Sequence, residues 1–222
     1  MIFVDAHCDT ITRIMESKTG LLDNQCHLDL QRVRKADNIH WVQFFAAFIS
    51  PQYSQTYALK RAMQIIDKIY EEANLNKHMM MICRNYKDIR RAIKNNLIAA
   101  IISIEGGDAL QGDISVLRCL YRLGVRSICL TWNNRNEIAD GVSDDITGGG
   151  LTRFGRKVVK EMNSLGMLVD VSHIAEKGFW DVIEITQSPI IASHSNAKKI
   201  CNHPRNLTDV QILAIKDNGG VI

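Results

Sequence analysis

The chain has no long apolar segment and little net charge. None of its apolar runs approaches the roughly 18 uncharged residues that a transmembrane helix needs, so we expect no membrane-spanning segment. The residues after Met1 show no basic region and no cleavage site, and we expect no secretory leader. The 27 basic and 24 acidic residues leave a formal charge of +3 that is scattered along the chain, which argues against nucleic acid or a membrane surface as a partner. A cytoplasmic protein is expected.

Prolines and paired cysteines are also scarce. With three prolines and no low-complexity segment, the sequence offers no evident linker, and we expect one domain over residues 1–222. The six cysteines form no close pairs, so we expect free thiols rather than a disulfide framework. Cys119 and Cys129 lie in apolar runs and are expected to be buried as small hydrophobic residues.

Short β-branched runs alternate with stretches of helical periodicity. The near-continuous apolar character of the runs predicts strands that are buried on both faces, as in a parallel sheet. The predicted strands are 2–6, 41–49, 99–104, 125–130, 167–171, 189–193 and 220–222. The predicted helices are 55–73, 86–95, 153–165, 175–186 and 209–217, with Thr152 and Thr208 as N-caps and Gly166 at a helix C-terminus.

This alternation predicts an α/β fold, namely a TIM-type (β/α)8 barrel of the metal-dependent hydrolase kind. A closed barrel of eight strand-helix units typically takes about 250 residues. The seventh predicted strand, 220–222, coincides with the end of the sequence. We therefore expect an incomplete barrel, in which strand 8 and its helix are missing.

Five potential metal ligands follow predicted strands. They are His7, Asp9, Glu105, His173 and His194. The C-terminal ends of barrel strands open on one common mouth, so we expect these side chains to converge there. Mixed imidazole and carboxylate ligation suits Zn²⁺ best, with Mn²⁺ and Co²⁺ as alternatives. Cys8 lies between two of the ligands and is expected to face away.

Each residue alone also has a simpler interpretation. His7 and Asp9 could be surface polar residues, Glu105 a loop carboxylate, and either later histidine a hydrogen-bonded core residue. A polar group at the inner end of a buried strand nevertheless needs a partner, because its desolvation is unfavourable. The five occurring together favour a binuclear metal site.

Ten blocks of the sequence, in one order, resemble the membrane (renal) dipeptidase family of zinc metallopeptidases, including its bacterial members. The blocks extend through essentially the whole chain, so their agreement is far more specific than any single motif. They are residues 5–9, 27–30, 43–45, 104–107, 124–133, 139–141, 150–152, 170–173, 193–195 and 205–206.

The resemblance implies a barrel with two Zn²⁺ ions. His7 and Asp9 would hold one ion, His173 and His194 the other, and Glu105 would bridge them as the catalytic centre. Arg205 would bind the C-terminal carboxylate of the substrate, a role that suits the bidentate geometry of a guanidinium. The implied activity is hydrolysis of the peptide bond of a dipeptide by a metal-bridged hydroxide.

Two departures from the family pattern bear on activity. Trp132 occupies a substrate-binding position where animal members carry a histidine that contacts the tetrahedral intermediate. The expected missing strand would carry the family's proton-shuttling aspartate.

One alternative is therefore a truncated, catalytically impaired metal-binding fragment. Another is an amidohydrolase acting on a lactone or cyclic amide, although such barrels more often begin with His-x-His and use a lysine bridge. The expected partners are a dipeptide substrate and, as an option, a second copy in a homodimer.

Overall fold

The strands that precede the candidate ligands lie side by side in one parallel sheet. The computed structural model describes residues 1–36, 38–53 and 55–222. The sheet follows the order β1-β2-β4-β5-β6, with β3 paired to β4. The strands are β1 (Ile2–Asp5), β2 (His40–Phe48), β3 (Met80–Ile82), β4 (Ile98–Glu105), β5 (Val125–Cys129) and β6 (Leu168–Asp170).

The predicted strands 189–193 and 220–222 are reduced to single bridges. Ile191 pairs in parallel with Asp170 on one side and with Val221 on the other. The ladder does not extend because neighbouring backbone N–H groups donate to side chains instead. The N–H of Ile190 donates to Asn218 Oδ1, and that of Ser193 donates to Asp170 Oδ1. The two segments thus lie beside β6 in chain order, while the predicted lengths of these two strands are wrong.

Strand β3 was not predicted. It pairs with residues 98–100 of β4, and β5 pairs with residues 102–105 farther along. Since β2 pairs with residues 99–105 of the same strand, β3 and β5 share its other edge. Three residues of a methionine-rich run are too short to show a strand period.

Eight helices occur in the described residues. The five predicted helices are confirmed with ends within two residues, while three others were not predicted. The helices are α1 (Thr10–Ser17), α2 (Leu30–Arg34), α3 (Gln55–Leu75), α4 (Tyr86–Lys94), α5 (Ile114–Arg122), α6 (Arg153–Leu165), α7 (Glu176–Ile185) and α8 (Asp209–Asp217).

Local capping explains why α6 and α8 were located correctly. The Thr152 side chain accepts a hydrogen bond from the N–H of Gly155, and Gly166 ends α6 at φ +70°, a conformation in which glycine lacks the Cβ penalty. Thr208 and Gln211 form a reciprocal capping box at the start of α8. These short-range signals are fully contained in the sequence.

The cysteine prediction is confirmed for all six thiols, which are free, but it is wrong for the burial of Cys119. Helix α5 buries Leu117 and Leu120, and this spacing turns Cys119 to solvent. Cys129 is buried on β5, as expected.

The two faces of the sheet have different surroundings. Every residue of β4 is buried, as expected for a strand covered on both sides. One face, with Phe45 and Ile102, packs in the main core with residues of α3 such as Ile65. The other face carries Ile101 and also Glu105, which is the last residue of β4. Glu105 therefore lies on the face away from α3, because alternate strand residues share a face.

None of the described helices is both long enough and apolar enough to cross a membrane. The described strands agree with the predicted α/β fold with a parallel sheet. The incompleteness of the barrel and the single-domain organisation stay predictions.

Candidate metal centre

Glu105 lies at the centre of the five candidate ligands. Its Oε1 atom lies 2.9 Å from His173 Nε2 and 3.3 Å from His194 Nε2. Its Oε2 atom lies 3.5 Å from His7 Nε2. Asp9 extends the group, with Oδ1 3.5 Å from the same His7 nitrogen. The structure thus brings all five side chains together, while their role as metal ligands stays a prediction.

The neighbouring strands account for this convergence. Glu105 is the last residue of β4, His7 and Asp9 follow β1, and His173 follows β6. His194 comes three residues after Ile191, which bridges to Asp170 of β6. Since these strands run parallel, their C-terminal ends meet at one edge of the sheet.

Three of the five residues have the compactness of a site for one ion. His7, Glu105 and His194 each offer a ligand atom, and the three atoms lie within 4.8 Å of one another. His173 is joined to them by the contact of 2.8 Å between its Nε2 and His194 Nε2. The rings of His7 and His194 are also close, with centroids 3.9 Å apart.

Burial and charge oppose each other within this group. Burial disfavours the charged form of Glu105, but its close contacts with the His173 and His194 rings and the charge of His7 hold its pKa well below the usual range. Burial likewise disfavours charge on His7, yet the Asp9 and Glu105 carboxylates raise its pKa. Burial lowers the pKa of His173, which favours a neutral imidazole, the form that binds metal.

One oxygen of Asp9 shows that the site fits a cation. Apart from its 3.5 Å ion-pair contact with His7 Nε2, the buried Asp9 Oδ1 atom has no hydrogen-bond partner among the described residues. A buried carboxylate oxygen without a partner is costly. A divalent cation would satisfy this oxygen, and the combination of imidazole and carboxylate donors suits Zn²⁺.

Cys8 does not join the site. It packs against the main hydrophobic core, and burial raises the pKa of its thiol to about 12. The thiol therefore stays protonated at neutral pH, whereas a metal ligand must be a thiolate.

The backbone at His173 adopts an uncommon conformation. Its φ of +68° lies in the left-handed region, where residues other than glycine are seldom found. The carbonyl oxygen of His173 accepts a hydrogen bond from Val142 N at 2.9 Å, and Gly141 bridges Ile174. The polar loop after β5 thus folds back and stabilises this conformation.

The two predicted substrate-binding residues border the metal centre. The Nη2 atom of Arg205 donates to the carbonyl oxygen of His194 at 3.2 Å, and burial lowers the pKa of its guanidinium. The Trp132 ring lies 6.0 Å from the His173 ring and 5.5 Å from that of Phe48, measured between centroids. Phe48 and Trp132 therefore form an aromatic wall beside the centre.

Sequence reasoning assigned no role to three polar residues that contact the candidate ligands His173 and His194 or their partners. They are Asn133, Asp170 and Ser193. All three fall within the blocks that resemble the dipeptidase family, and each lies near the end of a strand. Their position near strand ends was therefore the only signal in the sequence. That signal does not predict which histidine each of these residues contacts.

The whole chain, residues 1–222, matches the family model described as membrane dipeptidase (peptidase family M19). An uncharacterized protein in the pqqA 5′ region of Klebsiella pneumoniae is 41% identical over 148 residues, which cover 64% of this chain and 55% of that protein. An uncharacterized protein in the PQQ-III 3′ region of Acinetobacter calcoaceticus is 31% identical over 98% of this chain and 78% of its own length. The match thus spans little more than half of the Klebsiella relative.

Two solved structures are similar over the full chain. One is the dipeptidase AC, a metallopeptidase of family M19, with 27% identity and a TM-score of 0.91 over 71% of its length. The other is a metallopeptidase from Rhodobacter sphaeroides bound to a phosphinate mimic of the dipeptide L-Ala-D-Ala, with 27% identity and a TM-score of 0.91 over 73% of its length. These matches confirm the family resemblance inferred from the sequence.

Proposed function

Because this chain belongs to the membrane dipeptidase family of metallopeptidases, family M19, we propose that it acts as a zinc-dependent dipeptidase. The observation that carries the proposal is the convergence of His7, His173 and His194 on the two oxygens of one buried carboxylate, Glu105. Histidine and carboxylate donors at the C-terminal ends of parallel strands are typical of metal-dependent hydrolases.

The division of the Glu105 contacts supports a bridging role. Its Oε2 atom is directed at His7, while its Oε1 atom contacts both His173 and His194. We propose that His7 and Asp9 hold one Zn²⁺, that the other two histidines hold the second, and that Glu105 bridges the two ions. The tighter group of His7, Glu105 and His194 supports a one-ion arrangement, which a metal count distinguishes from the first.

The metal would supply the reactive chemistry, and the chain would supply the substrate contacts. Bound Zn²⁺ lowers the pKa of water and polarises a carbonyl group. Arg205, directed towards the site by its bond to the His194 carbonyl, would anchor the free carboxylate of a dipeptide through charge-assisted hydrogen bonds. The aromatic wall of Phe48 and Trp132 would exclude water from one side.

The test combines metal analysis with a hydrolysis assay on a panel of dipeptides, using the chain loaded with zinc. We expect two zinc ions per chain and turnover of dipeptides. Glu105→Gln should lose both. Ser103→Ala, on the same strand as Glu105, removes a buried hydroxyl that donates to the Phe45 carbonyl of β2 and should keep both.

Three other results would overturn parts of this proposal. Bound zinc without turnover would favour a catalytically impaired metal-binding fragment. Turnover restricted to lactones or cyclic amides would favour another kind of amidohydrolase. One zinc ion with dipeptide turnover would overturn the binuclear arrangement. A cytoplasmic location and a homodimer remain predictions from the sequence.

A further inference from the structure

The His173 ring has a defined hydrogen-bond partner on the side away from Glu105. Its Nδ1 atom lies 2.7 Å from Asn133 Oδ1. An amide oxygen can only accept, so Nδ1 must carry the proton of a neutral ring. The other nitrogen, Nε2, is then a bare lone pair, and it faces Glu105 Oε1 at 2.9 Å.

The His194 ring is held by two residues acting in series. Its Nδ1 atom lies 2.7 Å from Ser193 Oγ, and that hydroxyl donates its single proton to Asp170 Oδ2. Ser193 Oγ can therefore only accept from the imidazole, which places the ring proton on Nδ1.

The environment of Asp170 supports the direction of this chain of bonds. Its Oδ1 atom accepts from the backbone N–H groups of Ser172 at 3.0 Å and Ser193 at 3.1 Å. Both of these contacts are accepted hydrogen bonds, and a carboxylate oxygen can only accept. Asp170 is also 4% exposed, so its hydrogen bonds are shielded from water.

We propose that Asn133 and the Ser193–Asp170 pair are positioning residues that fix the Nδ1–H tautomers of His173 and His194. The two Nε2 atoms lie 2.8 Å apart and both contact the same oxygen of Glu105. With both protons on Nδ1, three lone-pair donors face one another, an arrangement that a cation stabilises. The chain thereby prepares its own ligands before the metal binds.

The first test examines the ring protons directly. Long-range ¹H–¹⁵N NMR on the metal-free chain, labelled at histidine and held at mildly alkaline pH, reports which nitrogen of each neutral ring carries the proton. We expect Nδ1–H for His173 and His194. A proton on Nε2 of either ring would overturn the proposal for that ring, and this result does not depend on any variant folding.

The second test measures zinc affinity by competition with a chromophoric chelator. Asn133→Leu and Ser193→Ala should each weaken zinc binding by about 10- to 100-fold, the usual effect of removing the partner of a ligating histidine. Asn133→Asp and Ser193→Thr keep the accepting oxygen and should bind zinc with nearly the parent affinity.

Matched controls separate positioning from general destabilisation. Asn163→Leu removes an amide oxygen that accepts bonds from Thr186 and Gln187, and Ser127→Ala removes a buried hydroxyl that donates to Leu168. Both controls should keep the zinc affinity. Equal losses in the controls, or unchanged affinity in Asn133→Leu and Ser193→Ala, would overturn the inference.

This inference rests on the metal centre of the proposed function, but neither test uses turnover. A chain that binds zinc through Nδ1–H tautomers yet hydrolyses no dipeptide would refute the proposed activity alone. A chain that hydrolyses dipeptides with zinc affinity insensitive to Asn133 and Ser193 would refute the positioning role alone.

Discussion

Glu105 Oε1 lies 2.9 Å from His173 Nε2, in a place where both side chains are almost fully buried. Removing one member of a buried cluster of charged and polar groups leaves the other members uncompensated. This relationship makes the carboxylate the residue on which the rest of the centre depends.

Glu105→Gln should therefore abolish the metal centre. We expect zinc affinity to fall by at least about 100-fold, because disrupting a buried charged cluster typically costs about 3 to 5 kcal/mol and each 1.4 kcal/mol is about tenfold. Metal content after dialysis and competition titration measure the effect. Parent-like zinc affinity in a folded Glu105→Gln chain would contradict the bridging role.

Arg205→Met should weaken binding of dipeptides through their free carboxylate. Hydrogen bonds to a charged group contribute about 1.5 to 3 kcal/mol, so KM should rise by roughly 10- to 100-fold. The comparison substrate is the dipeptide amide, which lacks the carboxylate and should be little affected. Arg153→Met, at the exposed start of α6, is the control, and equal losses on both substrates would argue against the anchoring role.

Asp181 should make the stability of the fold depend on pH. Its carboxylate is buried and accepts bonds from Lys177, from Leu151 N at 2.9 Å and from Arg156 at 3.2 Å. Burial opposes its charge, but these donors lower its pKa below the ordinary 3.8. Because the folded pKa is the lower one, the stabilisation is fully present above about pH 4 and is lost as pH falls through the folded value.

Asp181→Asn should accordingly lower the free energy of unfolding by roughly 1 to 3 kcal/mol at neutral pH and by less in acid. Urea unfolding at neutral pH and near pH 3 measures the difference. Glu184→Gln is the matched control, since this exposed carboxylate faces the same Arg156 at 3.7 Å and should change stability little. The same loss for Asp181→Asn at both pH values would refute the linkage.

Gly141→Ala should disturb the loop that stabilises His173. A Cβ atom at Gly141 would lie 2.3 Å from the carbonyl oxygens of both Trp132 and Asn133, so the backbone must shift. We expect a loss of about 1 to 3 kcal/mol in unfolding free energy, as for other overpacked sites, together with weaker zinc binding. Gly20→Ala, whose nearest neighbour would be an atom of the Glu72 side chain at 3.9 Å, should be silent in both measurements.

The parts of the fold that short-range signals encode were predictable from the sequence. The caps at Thr152 and Thr208 located α6 and α8, and the apolar runs located every strand of the sheet except β3. The positions of the five candidate ligands followed from the same runs, because a polar residue after a buried strand is a local pattern.

Features that depend on tertiary contacts were not predictable. The left-handed φ of His173 is stabilised by a loop more than 30 residues away in sequence, and nothing at position 173 reveals it. The contact between Asn133 and His173 likewise joins the segments that follow two different strands, β5 and β6. The shortening of strand 189–193 arises because Asp170 and Asn218 accept N–H groups that would otherwise extend the ladder.

Asp170 has a mechanical consequence for the distance between two candidate ligands. Next to β6, strand pairing is reduced to the bridge at Ile191. After that bridge, the backbone N–H groups of Ser172 and Ser193 both donate to Asp170 Oδ1, so this carboxylate links the two segments. The separation of His173 and His194 is therefore set by the hydrogen bonds to this one carboxylate rather than by continuous strand pairing. Shortening or lengthening this one side chain would change the bite of the histidine pair, and so the size of ion it accepts, while leaving the strands in place.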